Sequence, residues 1–217
     1  MDSITEHFFL DELLSLCNMA GVHASAIGQA MSDWMASDLA RARALELRPL
    51  VHELDLIAAD ARYDSAMQAR IAAQSEIFLR LEAYFAVHGR IAEILRPKLS
   101  HVHGKRAAEL RSLLEQGDVA WEADYQARNK WIHFDEYLDN RAMAGPDHVQ
   151  PQRTCLSSDL RAGQDHATLR LITVDDCCVR LPTVGRVDLR AMFGRVRELE
   201  SHVRARLHDW GARARPT

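Results

Sequence analysis

The chain has 217 residues, 47% of them apolar, with 27 Lys+Arg against 31 Asp+Glu. That length suits one large domain, or a domain with an appendage, and supplies enough apolar material for a buried core. A net charge of −4 carries no global signature of a nucleic-acid or membrane-surface binder. No apolar run approaches the ~20 residues of a spanning helix. The start, Met1-Asp2-Ser3-Ile4-Thr5-Glu6, lacks the basic and apolar regions of a secretory signal. The expectation is a cytoplasmic protein with no membrane partner.

Residues 4–20 predict a short apolar helix. A longer helical pattern runs from Ser32 to Asp60 through Leu39, Leu47, Leu50, Leu54 and Ile57, with Pro49 kinking or dividing it. The clearest stripe follows: Met67, Ile71, Phe78, Leu81, Phe85 and Leu95 recur near one face at helical periodicity, and Pro97 ends that helix. A further helix covers about 105–115, where Gly117-Asp118 supplies a stop and then a cap. The next spans about 119–142, with Ala127, Trp131, Phe134 and Leu138 as a narrow buried stripe, and Gly145-Pro146 breaks it. Trp34 and Trp121 read as helix-packing residues.

After a loop to Arg153 the character changes. Thr168 to Val174 is β-rich, Asp175-Asp176 is a turn, and Cys177 to Leu181 returns as a second strand. A last helix over about 188–210, capped by Asp188, places Leu189, Met192, Val196, Leu199, Val203, Leu207 and Trp210 on one stripe. The organisation expected is a helical bundle over 1–145 and a C-terminal extension over 146–217. The four cysteines, Cys17, Cys155, Cys177 and Cys178, have no C-x-x-C spacing and read as reduced structural thiols. The adjacent pair is expected on opposite faces of a strand.

One segment resists explanation as a solvated helix face: Gln126 to Asp139 gathers a guanidinium, an amide, an imidazole and three carboxylates. On a regular helix Asn129, His133, Glu136 and Asn140 share one face, and Arg128, Ile132, Asp135 and Asp139 an adjoining one. Arg128 and His133, five residues apart, diverge by about 140°. One helix therefore cannot clamp a phosphate between them, whereas two copies facing across a twofold axis can. If the motif is active, a homodimer follows. The alternative is plainer: Arg128 and Asp135 as ends of a surface ion network, and His133 as a solvent-facing or packing histidine.

Arg128-Asn129 followed by His133 resembles the R-x4-6-H motif of HEPN domains. The wider pattern is Arg106 to Leu114, then Gly117-Asp118, Arg128-Asn129 and His133-Phe134-Asp135-Glu136. It resembles a group of bacterial HEPN-like proteins in which a leucine-rich helix precedes an "RN…HFDE" helix. The likeness is specific over residues 105–140. That group tends to carry an acid just before the histidine and an arginine after "HFDE", where this chain has Ile132 and Tyr137. The resemblance implies a mainly α, HEPN-type antiparallel bundle with a small C-terminal β-hairpin and a final helix.

It also implies metal-independent RNA cleavage, in a toxin or defence setting, with no cofactor and no metal. His133 would move a proton at the ribose 2′-OH or the leaving oxygen. Arg128 would hold the phosphate, and Asn129 would orient the imidazole or the scissile group. Asp135 and Glu136 would position Arg128 or His133. The second reading is a catalytically silent HEPN scaffold that binds a nucleotide or a protein partner. The segment Asp118 to Ala142 is net −3, while residues 186–217 are net +4. Any RNA must then be held by a local arrangement rather than by overall charge.

Overall fold

The computed structural model describes residues 3–47, 55–97, 101–132, 155–156, 171–181 and 185–213. The protein is mainly helical with a small sheet. Helices α1 (Ser3–Leu47), α2 (Leu56–Leu95), α3 (His101–Leu113) and α4 (Asp118–Ile132) are followed by strands β1 (Cys155–Leu156), β2 (Leu171–Thr173), β3 (Cys178–Leu181) and β4 (Gly185–Asp188), and by helix α5 (Leu189–Arg213). The chain divides into two compact units. Unit 1 holds residues 1–22 and 82–217, and unit 2 holds residues 23–81. The expected boundary near residue 145 lies outside the described residues.

The helix ends show which local signals dominate. Pro97 follows the end of α2 at Leu95, because the residue before a proline is pushed out of the helical region. Of the 32–60 pattern, the residues to Leu47 belong to α1 and those from Leu56 to α2, while Pro49 lies outside the described residues. The expected break after residue 20 is absent, and α1 runs unbroken through Gly21 and Gly28. A mid-helix glycine costs only about 1 kcal/mol, which the remaining 43 of its 45 residues absorb.

In unit 1 the core is built from stripes that meet. Leu10, Leu13 and Cys17 of α1, Tyr84, Phe85, Ile91 and Leu95 of α2, and Leu110 of α3 are fully buried. Of the predicted α5 stripe, Leu189, Met192, Val196, Leu199 and Val203 are buried, and Leu207 and Trp210 are half-buried; each fully buried side chain contributes about 2 kcal/mol when removed from water. Helix α5 runs antiparallel to the start of α1: the Trp210 indole donates to Ser3 Oγ at 3.0 Å, and Arg204 donates to Asn18 Oδ1 at 3.0 Å.

The end of α3 is set by tertiary contacts as well as by local sequence. Gly117 was the expected stop, yet the left-handed residue is Glu115, with φ 55°. The Gln116 N–H returns to Arg111 O at 2.9 Å, the bond that closes a left-handed helix terminus. Two carbonyls left open there are taken by α5: Arg206 donates to Leu113 O at 3.1 Å, and His202 Nδ1 lies 2.6 Å from Leu114 O.

The sheet has the order β1-β2-β3-β4, with β1 and β2 parallel and the other pairs antiparallel. The expected hairpin is β2-β3, joined through residues 174–177, and Asp188 caps α5 by accepting from the Ala191 N–H at 3.1 Å. Strands β1 and β4 are additions to the predicted pair. Cys177 lies in the turn rather than the strand, with φ 49°. It therefore does not alternate with Cys178, and both thiols are buried and free.

Unit 2 is a pair of antiparallel helical segments, since Arg80 acts on His23 while Arg70 donates to Asp38 at 2.9 Å. Its buried large residues are few: Ile27, Met31, Trp34, Ile77 and Leu81, the last closing unit 2 in sequence. The predicted stripe here fails. Leu39 is 53% exposed, Leu47 54% and Ile57 84%, and Ile71 of the next stripe is also exposed. The buried face of α2 instead follows Ala59, Arg70, Ala73 and Ile77. Two helices bury only the narrow seam between them, so apolar residues off that seam stay in water.

Candidate functional site

Helix α4 lies antiparallel on the second half of α2 within unit 1. Glu122 pairs with Arg96, Arg128 lies beside Glu93 and Gly89, and Trp131 stacks on Phe85 with centroids 5.1 Å apart. The buried face of α4 is Trp121, Asp124, Ala127 and Trp131, a regular helical stripe with a carboxylate in it.

That carboxylate is the centre of a buried polar cluster. Asp124 is 3% exposed, and Arg195 of α5 grips it with two N–H donors, Nε to Oδ2 at 2.8 Å and Nη2 to Oδ1. His88 of α2, fully buried, places Nε2 3.3 Å from Oδ2 and is stacked on Trp121 at 5.3 Å. Tyr84, one turn earlier, packs edge-on against Phe193 of α5. Burial pushes the Asp124 carboxyl up, but His88 and Arg195 together outweigh it and hold the group below its ordinary value. Burial raises the Tyr84 hydroxyl well above its usual range. Three helices are thus tied together through one carboxylate, and a fork-shaped guanidinium is the group suited to such a bond.

Arg128 sits one turn after Asp124 and uses the same approach to α2. A Cβ at Gly89 would come within 2.4 Å of Arg128 Nε and 2.9 Å of its Cδ, so only glycine lets the arginine cross α2 there. The side chain is 19% exposed, its Nη1 donates to Asn129 Oδ1 at 2.9 Å, and the same nitrogen lies 3.7 Å from Glu93. The structure therefore brings Arg128 and Asn129 together and adds Glu93 and Gly89, which the sequence reading did not single out. His133, Asp135 and Glu136 lie outside the described residues, as do Phe134 and Leu138 of the predicted stripe. Trp34, Trp121 and Trp131 are core residues as expected.

The cluster of His88, Asp124 and Arg195 was missed, yet two of its members carried a signal. His88 falls on the α2 stripe between Tyr84 and Ile91, and Asp124 falls on the α4 stripe between Trp121 and Ala127. A titratable residue at an apolar register position marks a buried polar contact. Among the described residues no group of three or more His, Cys, Asp or Glu side chains is placed to hold a metal ion. No helix among them is long and apolar enough to cross a membrane. Comparison with known protein families, with curated proteins and with solved structures finds no match to this chain.

Proposed function

We propose that this chain is a HEPN-like protein that cleaves RNA without a metal, at a site completed by a second copy, in a toxin or defence setting. The observation that supports the reading is the seating of Arg128. Its guanidinium is held by Asn129 and faces Glu93, over a glycine that makes room for it, so it is a positioned cation rather than a free surface side chain. In the proposed site Arg128 binds the scissile phosphate and leaves Glu93 to do so, exchanging one anion for another. His133 of the second copy moves the proton at the 2′-OH or the leaving oxygen. Asp135 and Glu136 serve positioning roles. The products are a 2′,3′-cyclic phosphate and a free 5′-OH.

A silent scaffold that binds a nucleotide or a protein partner is the second reading. The specific observation favouring it is the same ion pair: Glu93 already neutralises Arg128, and Glu122 lies on the same helix. Incubation of purified protein with total RNA in EDTA separates the two. The cleavage reading expects wild-type activity with the cyclic phosphate end, and a loss of about a hundredfold or more in Arg128→Ala and His133→Ala. Intact RNA with the wild-type protein overturns it in favour of the scaffold.

A further inference from the structure

Helix α5 and the strand before it carry a second feature that the proposed cleavage site does not use. Arg190, Arg197 and Arg204 are exposed and follow one another at seven-residue steps, so they fall within about 40° of one another around the helix and are strung over about 21 Å. Ahead of them, Arg180 and Arg186 are directly opposite in the β3-β4 register, and both are exposed. Like charges facing each other across a strand pair destabilise a sheet, a cost that the Arg186–Asp176 pair offsets on one side only.

The two groups of arginines meet at one corner. Arg186 reaches the Asp176 carboxylate at 3.4 Å, and Arg190 reaches the Asp175 carbonyl, so both return to the same hairpin turn. The third arginine of the outer line, Arg204, is held in line by an ion pair with Glu200 and a bond to Asn18. Arg197 makes no hydrogen bond or ion pair among the described residues. By contrast, Arg195 and Arg206 on the inner side of the same helix are consumed by Asp124 and by Leu113 O. The inner arginines of the helix are thus consumed by partly or fully buried groups, while the outer ones stay exposed, with Arg190 and Arg204 tethered by surface groups and Arg204 paired with Glu200.

We infer that this outer face, from Arg180 and Arg186 through Arg190 and Arg197 to Arg204, is a track for the phosphodiester backbone of a single-stranded nucleic acid. A span of about 21 Å is too long for one phosphate or a mononucleotide to bridge. A phosphodiester strand has a charge at every step and can meet such a line in any register, whereas an acidic protein would need its own carboxylates at the matching spacing. Arginine forks suit phosphate oxygens. The inference concerns binding alone, so it stands or falls separately from the cleavage reading.

The test is fluorescence anisotropy of a labelled oligouridylate of about 16 nucleotides with the full chain, between about 50 and 200 mM salt. Wild type is expected to bind with strong salt dependence. The double variant Arg190→Gln/Arg197→Gln is expected to bind about tenfold or more weakly, with the slope of log K against log salt reduced by about 1.4, since each phosphate contact contributes about 0.7 on a single strand. Arg43→Gln, an equal charge change on an exposed residue of unit 2, is expected to leave affinity within about twofold. Circular dichroism melts of the three proteins control for folding. No binding by wild type, equal weakening by Arg43→Gln, or tighter binding of polyglutamate than of RNA would each overturn the inference.

Discussion

Both units hold an aspartate with arginine, and the two settings differ in what water is allowed to do. In unit 1, Asp124 is 3% exposed and sits inside a three-helix junction with His88 and Arg195. In unit 2, the Asp38 side chain is 29% exposed and accepts from Arg41 at 3.0 Å and Arg70 at 2.9 Å, with Arg70 also lying over Trp34 at 5.0 Å. The chemistry is the same, but the group left behind differs: losing the carboxylate in unit 1 strands the fully buried His88 together with Arg195, while in unit 2 it strands Arg70, 9% exposed but seated on the Trp34 ring. Unit 1 accordingly concentrates its polar specificity in one irreplaceable contact. Unit 2 spreads a weaker one along a seam.

The contrast breaks most sharply under substitution of the buried acid. Asp124→Ala is expected to cost about 3 kcal/mol or more in urea unfolding, because Arg195 and His88 lose their shared anion. A cost below about 1 kcal/mol would show that the cluster is not the organising contact of unit 1. The matching change in unit 2, Asp38→Ala, is expected to cost less, about 2 kcal/mol, since the Arg70 it strands keeps the Trp34 face and Arg41 is partly open to solvent. If the two losses are equal, burial does not separate them.

Acid sharpens the same comparison. The Asp124 pKa is depressed in the folded state, so its contribution is fully present above the unfolded value of 3.8 and is lost as pH falls through the folded value. The His23 ring in unit 2 is also depressed, by burial and then by Arg80. Its contribution is therefore present above 6.5 and declines as pH falls below that value. Two-dimensional NMR or hydrogen exchange during a pH titration is expected to show unit 2 amides loosening at mildly acidic pH while unit 1 stays protected until below about pH 4. The reverse order would contradict it.

The smallest expected change in stability has the largest expected consequence for the site. Gly89→Ala gains about 1 kcal/mol of helix propensity and offsets it by pushing the flexible Arg128 side chain aside, so the melting temperature is expected to move by only a few degrees. If Arg128 is the phosphate-binding group, this variant folds and loses activity. Retained cleavage in a folded Gly89→Ala protein would remove Arg128 from the mechanism.

Much of the fold was legible because its signals are local. Pro97, the Asp188 cap, the hairpin around Asp175-Asp176 and the α5 stripe each act within a few residues. The unbroken α1 was not, since two glycines weaken a helix without ending it. The exposure of Leu39 and Ile57 was hidden too, because periodicity names an apolar face but not whether a neighbour covers it. The polar cluster was the least legible. Asp124 and Arg195 are 71 residues apart, and only the packing of α2, α4 and α5 brings them together. Of the candidate site, the sequence identified Arg128 and Asn129 but not Glu93 or Gly89, whose roles exist only where α4 crosses α2.

The most direct test of the composite site is complementation between inactive variants. Arg128→Ala and His133→Ala proteins are each expected to be inactive on RNA. Mixed in equal amounts and allowed to exchange subunits, they form dimers in which one copy supplies Arg128 and the other His133. Random pairing should then restore about a quarter of wild-type activity. A mixture as inactive as its parents, under conditions where subunit exchange is demonstrated and the wild-type protein cleaves, would contradict a site shared between two copies.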